Sequence, residues 1–191
     1  MKLYTNPMSA NCQHPTKLIE HLGIECEMVV VDLQAGEQRR PEFLALNPCG
    51  RVPVLVDEDV VFWESHAILH YLAEKHAPEL LGTGPVSRAR VQQWLSWNLA
   101  HLMPHMSALG FERRLKGMFG MGEPDEERIA REEKGLAKCL ALMEQVLSEK
   151  DWIAGERSLA DFSLASSVGH KLAGHNLDAY PAVLRWMDRQ K

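Results

Sequence analysis

The 191-residue chain is 46% hydrophobic and 25% charged, the balance of an ordinary soluble globular protein with room for one large or two small domains. Its 26 acidic residues against 21 basic ones give a net charge of −5 with no lysine or arginine run, which argues against nucleic acid as a partner. There is no basic and apolar leader and no apolar stretch of roughly twenty residues, so neither export nor membrane insertion is expected and the chain reads as cytoplasmic.

Lys2–Thr5 reads as a short strand closed by the Asn6-Pro7 turn. Residues 9–12 lead into a helix over 17–22 stopped by Gly23, and Pro15, which suits a first helical position, leaves Cys12 in the preceding loop. Residues 27–32 form a valine-rich strand, 34–37 a polar turn and 41–46 a short helix. An apolar strand over 52–56 carries proline at its second residue, where a missing N–H is tolerated. Residues 57–59 turn the chain, Val60–Trp63 completes a hairpin, and Glu64-Ser65 opens a helix to about His76. The order strand, helix, strand, helix, strand, strand, helix suits an α/β domain with a thioredoxin-like sheet over residues 1–76.

Residues 77–86 hold two glycines and two prolines and read as a linker. Beyond them, over 87–191, the pattern is all-α. A long periodic helix runs over 87–117 with a kink expected at Pro104, and another runs over 124–150. Ser158-x-x-Asp161 is a capping-box-like start for a helix towards Leu172, and Tyr180-Pro181 opens a last helix to Lys191.

The hairpin carries the groups suited to a small charged peptide. A strand that stops pairing near Val52 leaves backbone groups for an extended ligand, and Ser65 at a helix start offers a hydroxyl and unpaired amides to a carboxylate. Glu64 suits an ammonium. Taken alone, Ser65 as a helix cap and Glu64 as a dipole-favoured acid read equally well.

Asn47-Pro48-x-Gly50-x-Val52-Pro53, followed eleven residues after Pro53 by Glu64-Ser65-x-Ala67-Ile68, resembles the glutathione-binding half of the cytosolic glutathione S-transferases. The two-part plan resembles that family over essentially the whole chain, and the Trp63-Glu64-Ser65 stretch is most similar to the serine-using theta, delta and phi classes and their bacterial relatives. The resemblance implies a cis Val52-Pro53 bond, with Val52 pairing its backbone to the cysteinyl part of glutathione and Glu64 and Ser65 holding the γ-glutamyl end. It points to Gln38, Arg39 and Arg51 for the glycine carboxylate. Glutathione is then a co-substrate and no metal is expected. A homodimer is implied as well.

The family position implies that Ser9 carries the chemistry. A thiol with a pKa near 8.5 is only about 3% ionised at pH 7, and a hydrogen bond to a charged group, worth about 1.5–3 kcal/mol, raises that fraction greatly. The hydroxyl donates, and the glutathione thiolate attacks a small apolar electrophile or an organic hydroperoxide in a detoxification role. Ser9 as a turn or cap serine is the local alternative. Cys12 offers a different chemistry, thiol–disulfide exchange with glutathione, although there is no Cys-x-x-Cys. A non-catalytic, partner-binding member of the same fold is a further alternative. The four cysteines, at 12, 26, 49 and 139, have no metal or redox spacing and read as free thiols. His66/His70 and His101/His105 are i, i+4 pairs without a third metal ligand nearby. Met8, Trp97, His101, Met103 and His105 are the positions that the resemblance places along the electrophile pocket.

Overall fold

The computed structural model describes residues Met1–Gln190, and the expected end of the last helix at Lys191 lies outside them. The chain divides into two compact units, Met1–Leu81 and the part from Gly82 onward.

The first unit follows the expected order: β1 (Lys2–Thr5), α1 (Ala10–Leu22), β2 (Glu27–Val30), α2 (Pro41–Leu44), β3 (Val54–Asp57), β4 (Val60–Trp63) and α3 (Ser65–His76). A 3₁₀ turn over Glu37–Arg39 precedes α2, and another over Pro78–Leu81 follows α3. The sheet order is β2-β1-β3-β4, with β1 and β2 parallel and the other pairs antiparallel. Alternation along the central strands sends side chains to both faces. Leu3 and Leu55 are register partners and fully buried, on the face where α1 and α3 pack with Leu18, Ile68, Leu69 and Leu72. Tyr4 and Val54 point the other way, into a cluster with Val31 and Phe43 that Val52 joins at its margin. With both faces covered, β3 reads as a nearly continuous apolar run.

Three local expectations change in this unit. Helix α1 starts at Ala10 and contains Pro15, so Cys12 lies in its first turn and not in a preceding loop. Pro15 is the sixth residue of α1, so its missing N–H costs one intrahelical bond, that to the carbonyl of the exposed Asn11. The hairpin strand begins at Val54 and not at Val52, and β2 ends at Val30, short of residue 32.

The second unit has no strand among its described residues. Helix α4 (Gly84–Trp97), α5 (Met103–Gly110) and α6 (Lys116–Met118) follow one another through π-helical stretches at Asn98–Leu102 and Phe111–Leu115. The interruption expected at Pro104 takes this form. Proline cannot donate to the Ala100 carbonyl, and the ladder widens just before it, the Met103 N–H reaching back to the Asn98 carbonyl. Most of the expected linker is structured, because the 3₁₀ turn occupies Pro78–Leu81 and Gly84-Pro85 forms the first turn of α4, where the fixed φ of proline is already helical.

Helix α7 (Glu126–Glu149) is opened by Asp125, whose carboxylate accepts from the Arg128 N–H at 3.0 Å. Helix α8 (Leu159–Val168) is buried along its whole length and stops at Gly169, short of residue 172, and α9 (Pro181–Asp188) closes the described chain. The Ser158/Asp161 capping box is formed, with Asp161 Oδ2 accepting from the Ser158 N–H at 2.9 Å. No helix of the described residues is long and apolar enough to cross a membrane.

Candidate functional site

The strand registers gather most of the expected site residues at one end of the sheet. Thr5, the last residue of β1, pairs with Val30, the last of β2, while Tyr4 pairs with Val54, the first residue of β3, and Val54 pairs with Trp63, the last of β4. Four chain segments therefore leave or enter the sheet at that end. They carry Met8 and Ser9, then Gln38 and Arg39, then Arg51, Val52 and Pro53, and finally Glu64 and Ser65.

Ser9 is half-buried and stands at the N-cap of α1, with φ −90° and ψ 115°. Its side chain makes no cap hydrogen bond to the backbone of α1 and is in contact with the Cys12 thiol. Cys12 is fully buried one turn on; burial pushes its thiol up, against smaller opposing contacts from Ser9, Asn6 and Thr5. A buried, protonated thiol is a poor nucleophile.

The approach to β3 is built by Asn47, buried to 2% exposure. Its amide donates to the Arg51 carbonyl at 2.7 Å and its Oδ1 accepts from the Cys49 N–H at 2.9 Å. Gly50 completes this turn at φ 60°, where a β-carbon would stand 3.1 Å from the Gln38 carbonyl oxygen and 3.3 Å from a Leu44 methyl, so glycine alone lets the two segments approach. The Val52-Pro53 bond is cis, and Val52 and Pro53 lie outside the β3 ladder. Arg39 and Arg51 are exposed and make no ion pair among the described residues. Gln38 donates through Nε2 to the Leu33 carbonyl at 3.3 Å, whereas its buried Oε1 has no partner.

Glu64 is exposed and sits at φ 71°, ψ 117°, a region that a residue with a β-carbon occupies at a cost of about 1–3 kcal/mol. That conformation swings the chain from β4 into α3 and places Ser65 at the first helical position, 5% exposed. Ser65 Oγ lies 3.2 Å from Nδ1 of His14, which is fully buried in α1. His14 in turn faces His66 at a ring-centroid separation of 5.3 Å, and burial pushes His66 down to about 4. Sequence reasoning passed over His14. It meets Ser65 across 51 positions, and no local spacing marks such a partner.

The remaining expected positions lie in the second unit. Trp97 packs against Trp94 and His101, Met103 is 6% exposed, and His105 is bound through Nδ1 to Glu132 Oε2 at 2.7 Å. His66 faces α1 while His70 is exposed, and no group of three or more metal-ligating side chains forms among the described residues.

Comparison with known proteins gives matches in sequence and in fold. The family model for the glutathione S-transferase N-terminal domain matches residues 1–74, and that for the C-terminal domain matches residues 99–190. A probable glutathione S-transferase of Oryza sativa subsp. japonica is 36% identical over 97% of this chain and 89% of its own. Glutathione S-transferase 3 of Zea mays is 37% identical over 84% of this chain and 73% of its own. Among solved structures, a glutathione S-transferase-I bound with lactoylglutathione superposes with a TM-score of 0.89 at 32% identity, covering 98% of this chain and 92% of that one.

Proposed function

The chain belongs to the glutathione S-transferase family, and we propose that it works as a serine-type member in which Ser9 holds the glutathione sulfur as a thiolate. The observation that carries this reading is the place of the Ser9 hydroxyl, free of any cap hydrogen bond, at the end of the sheet that also presents Val52 and Ser65. Glutathione lies extended along that end. Val52 pairs with its cysteinyl backbone, the carboxylate of Glu64 takes the γ-glutamyl ammonium, and Ser65 with the first amides of α3 takes the neighbouring carboxylate. Arg51 and Arg39 face the glycine carboxylate as charge-assisted donors, and the unpartnered Gln38 oxygen is an acceptor for a ligand N–H.

Ser9 donates to the thiolate and stabilises it by about 1.5–3 kcal/mol, which lowers the thiol pKa by about one to two units and makes the anion abundant at neutral pH. The thiolate then attacks an electrophilic carbon and expels its leaving group, as chloride from a chloroarene, in a site that supplies orientation and charge stabilisation. With an organic hydroperoxide it attacks the outer oxygen, breaking the O–O bond to release the alcohol and a glutathione sulfenic acid that a second glutathione converts to the disulfide and water. The apolar co-substrate is taken by the helical unit, with Trp97 and His101 as its contacts. The burial of Cys12 supports this chemistry over a disulfide exchange run by the protein's own thiol. We further assign the protein to the cytoplasm as a homodimer, which would elute near 43 kDa, twice the 21.6 kDa chain.

The test is Ser9→Ala beside Cys12→Ala, with 1-chloro-2,4-dinitrobenzene as electrophile. Ser9→Ala should lower kcat/KM by about 10- to 100-fold and raise the apparent pKa of bound glutathione by one to two units. Cys12→Ala should stay within about threefold of wild type, by the same scale of a single lost contact. The reverse ranking would overturn the assignment in favour of Cys12.

A further inference from the structure

The hydroxyl of Ser65 is a two-way group, and what it offers a ligand depends on its neighbour. A serine hydroxyl has one hydrogen and two lone pairs. If His14 Nδ1 is bare, the Ser65 hydrogen is drawn inward to it, and only lone pairs are left facing a ligand carboxylate, an arrangement that repels. If Nδ1 carries the hydrogen, Ser65 accepts from His14 and its own hydrogen is released outward. Ser65 is 5% exposed and His14 fully buried, so water has little access to arbitrate between the two states.

We propose that His14 is a positioning residue for glutathione binding: its Nδ1–H donates to Ser65 Oγ and so turns the Ser65 hydrogen towards the γ-glutamyl carboxylate. The inference rests on the assignment of Ser65 to that carboxylate. Three features of the fold support it. Helices α1 and α3 pack directly on one another, which fixes the separation of the two residues. The strained Glu64 backbone sets Ser65 at the start of α3, where the Oγ is not consumed as an N-cap. His66, whose ring centroid lies 5.3 Å from that of His14, is held neutral by burial and so brings no positive charge against the ring.

The experiment compares four proteins, wild type, His14→Phe, His14→Asn and Ser65→Ala, together with the double variant His14→Phe/Ser65→Ala, reading KM for glutathione and kcat separately. His14→Phe keeps an aromatic ring but has no donor, and should raise KM for glutathione about tenfold with kcat changed less than about twofold. His14→Asn carries an N–H close to the Nδ1 position and should stay within about threefold of wild type. In the Ser65→Ala background, His14→Phe should add nothing further, because the hydroxyl it orients is gone.

A His14→Phe effect that persists undiminished without Ser65, or no effect of His14→Phe where Ser65→Ala raises KM, overturns the inference while leaving the binding site intact. If Ser65→Ala itself leaves KM unchanged, the site assignment fails and the inference fails with it. A reading on the wild-type protein avoids any folding defect of the variants: ¹⁵N spectra of labelled histidine in the glutathione-saturated enzyme should show Nδ1 of residue 14 protonated. A bare Nδ1 there overturns the proposal.

Discussion

The indole N–H of Trp186 in α9 donates to Asp161 Oδ1 in α8 at 2.8 Å, with both side chains completely buried. The same carboxylate accepts from the backbone N–H groups of Ile153 and Ser158 and from the Ser158 hydroxyl, so it gathers a loop, a helix start and the last described helix on two oxygens. Burial pushes the Asp161 carboxyl up and these donors oppose it. Trp186→Phe preserves most of the packing but removes one donor from a buried carboxylate. A loss of about 2 kcal/mol in denaturant unfolding is expected. Catalysis by the folded fraction should be unchanged.

The Glu64 backbone sets stability against binding. Glycine relieves the φ 71° strain, worth about 1–3 kcal/mol, and gives back about 0.5–1 kcal/mol through the freer unfolded chain. Glu64→Gly should therefore be more stable than wild type by about 1 kcal/mol in urea, while KM for glutathione rises about tenfold on losing the carboxylate. A less stable variant would mean that the conformation is not strained.

His66 links stability to acidity. Its folded-state value of about 4 lies below the ordinary histidine value of 6.5, so between the two the unfolded chain binds more protons. The contribution is fully present above pH 6.5, declines as the pH falls through this window, and is lost below about 4. Burial depresses His175 with the same sign, so the measurement is a difference. Urea midpoints of wild type minus His66→Gln, taken from pH 7 to 4, should fall steadily with acidification, and a flat difference would contradict the shift.

Gly135 in α7 lies under the ring of His105 in α5, and a β-carbon at that position would overlap the imidazole. On an exposed helix Gly→Ala stabilises by about 1 kcal/mol. Here the ring would have to swing away and give up its bond to Glu132, a larger cost of about 1–3 kcal/mol. Gly135→Ala should thus destabilise, and His105→Ala should restore the usual sign when the two are combined. Thermal or urea unfolding of the three variants decides it.

The hairpin, the helix start at Glu64-Ser65 and the Ser158/Asp161 box were legible because each is a short run whose residues act on near neighbours. The segments of the candidate site were expected from the family resemblance carried by the Asn47 to Ile68 stretch, and the strand registers bring their backbones to one end of the sheet. What escaped depended on distant partners. Trp186 reaches Asp161 over 25 positions and His14 reaches Ser65 over 51, and neither pairing leaves a periodic trace. The start of α1 was misplaced because Pro15 is a strong local signal for a first helical position, which the packing of Leu18 and Ile19 against α3 outweighs. The widened turns around Pro104 answer a missing N–H by redistributing bonds along the backbone, which side-chain periodicity does not report.

The sheet registers also leave its opposite end idle. There β3 turns into β4 through Glu58 and Asp59, both exposed, while Asp57 beneath them is clamped by Lys75 at 2.6 Å and by the Tyr71 hydroxyl at 2.6 Å. A fluorophore or epitope spliced between residues 58 and 59 would thus ride on an anchored base, a full strand length from the candidate site, and should report on the protein without disturbing its turnover.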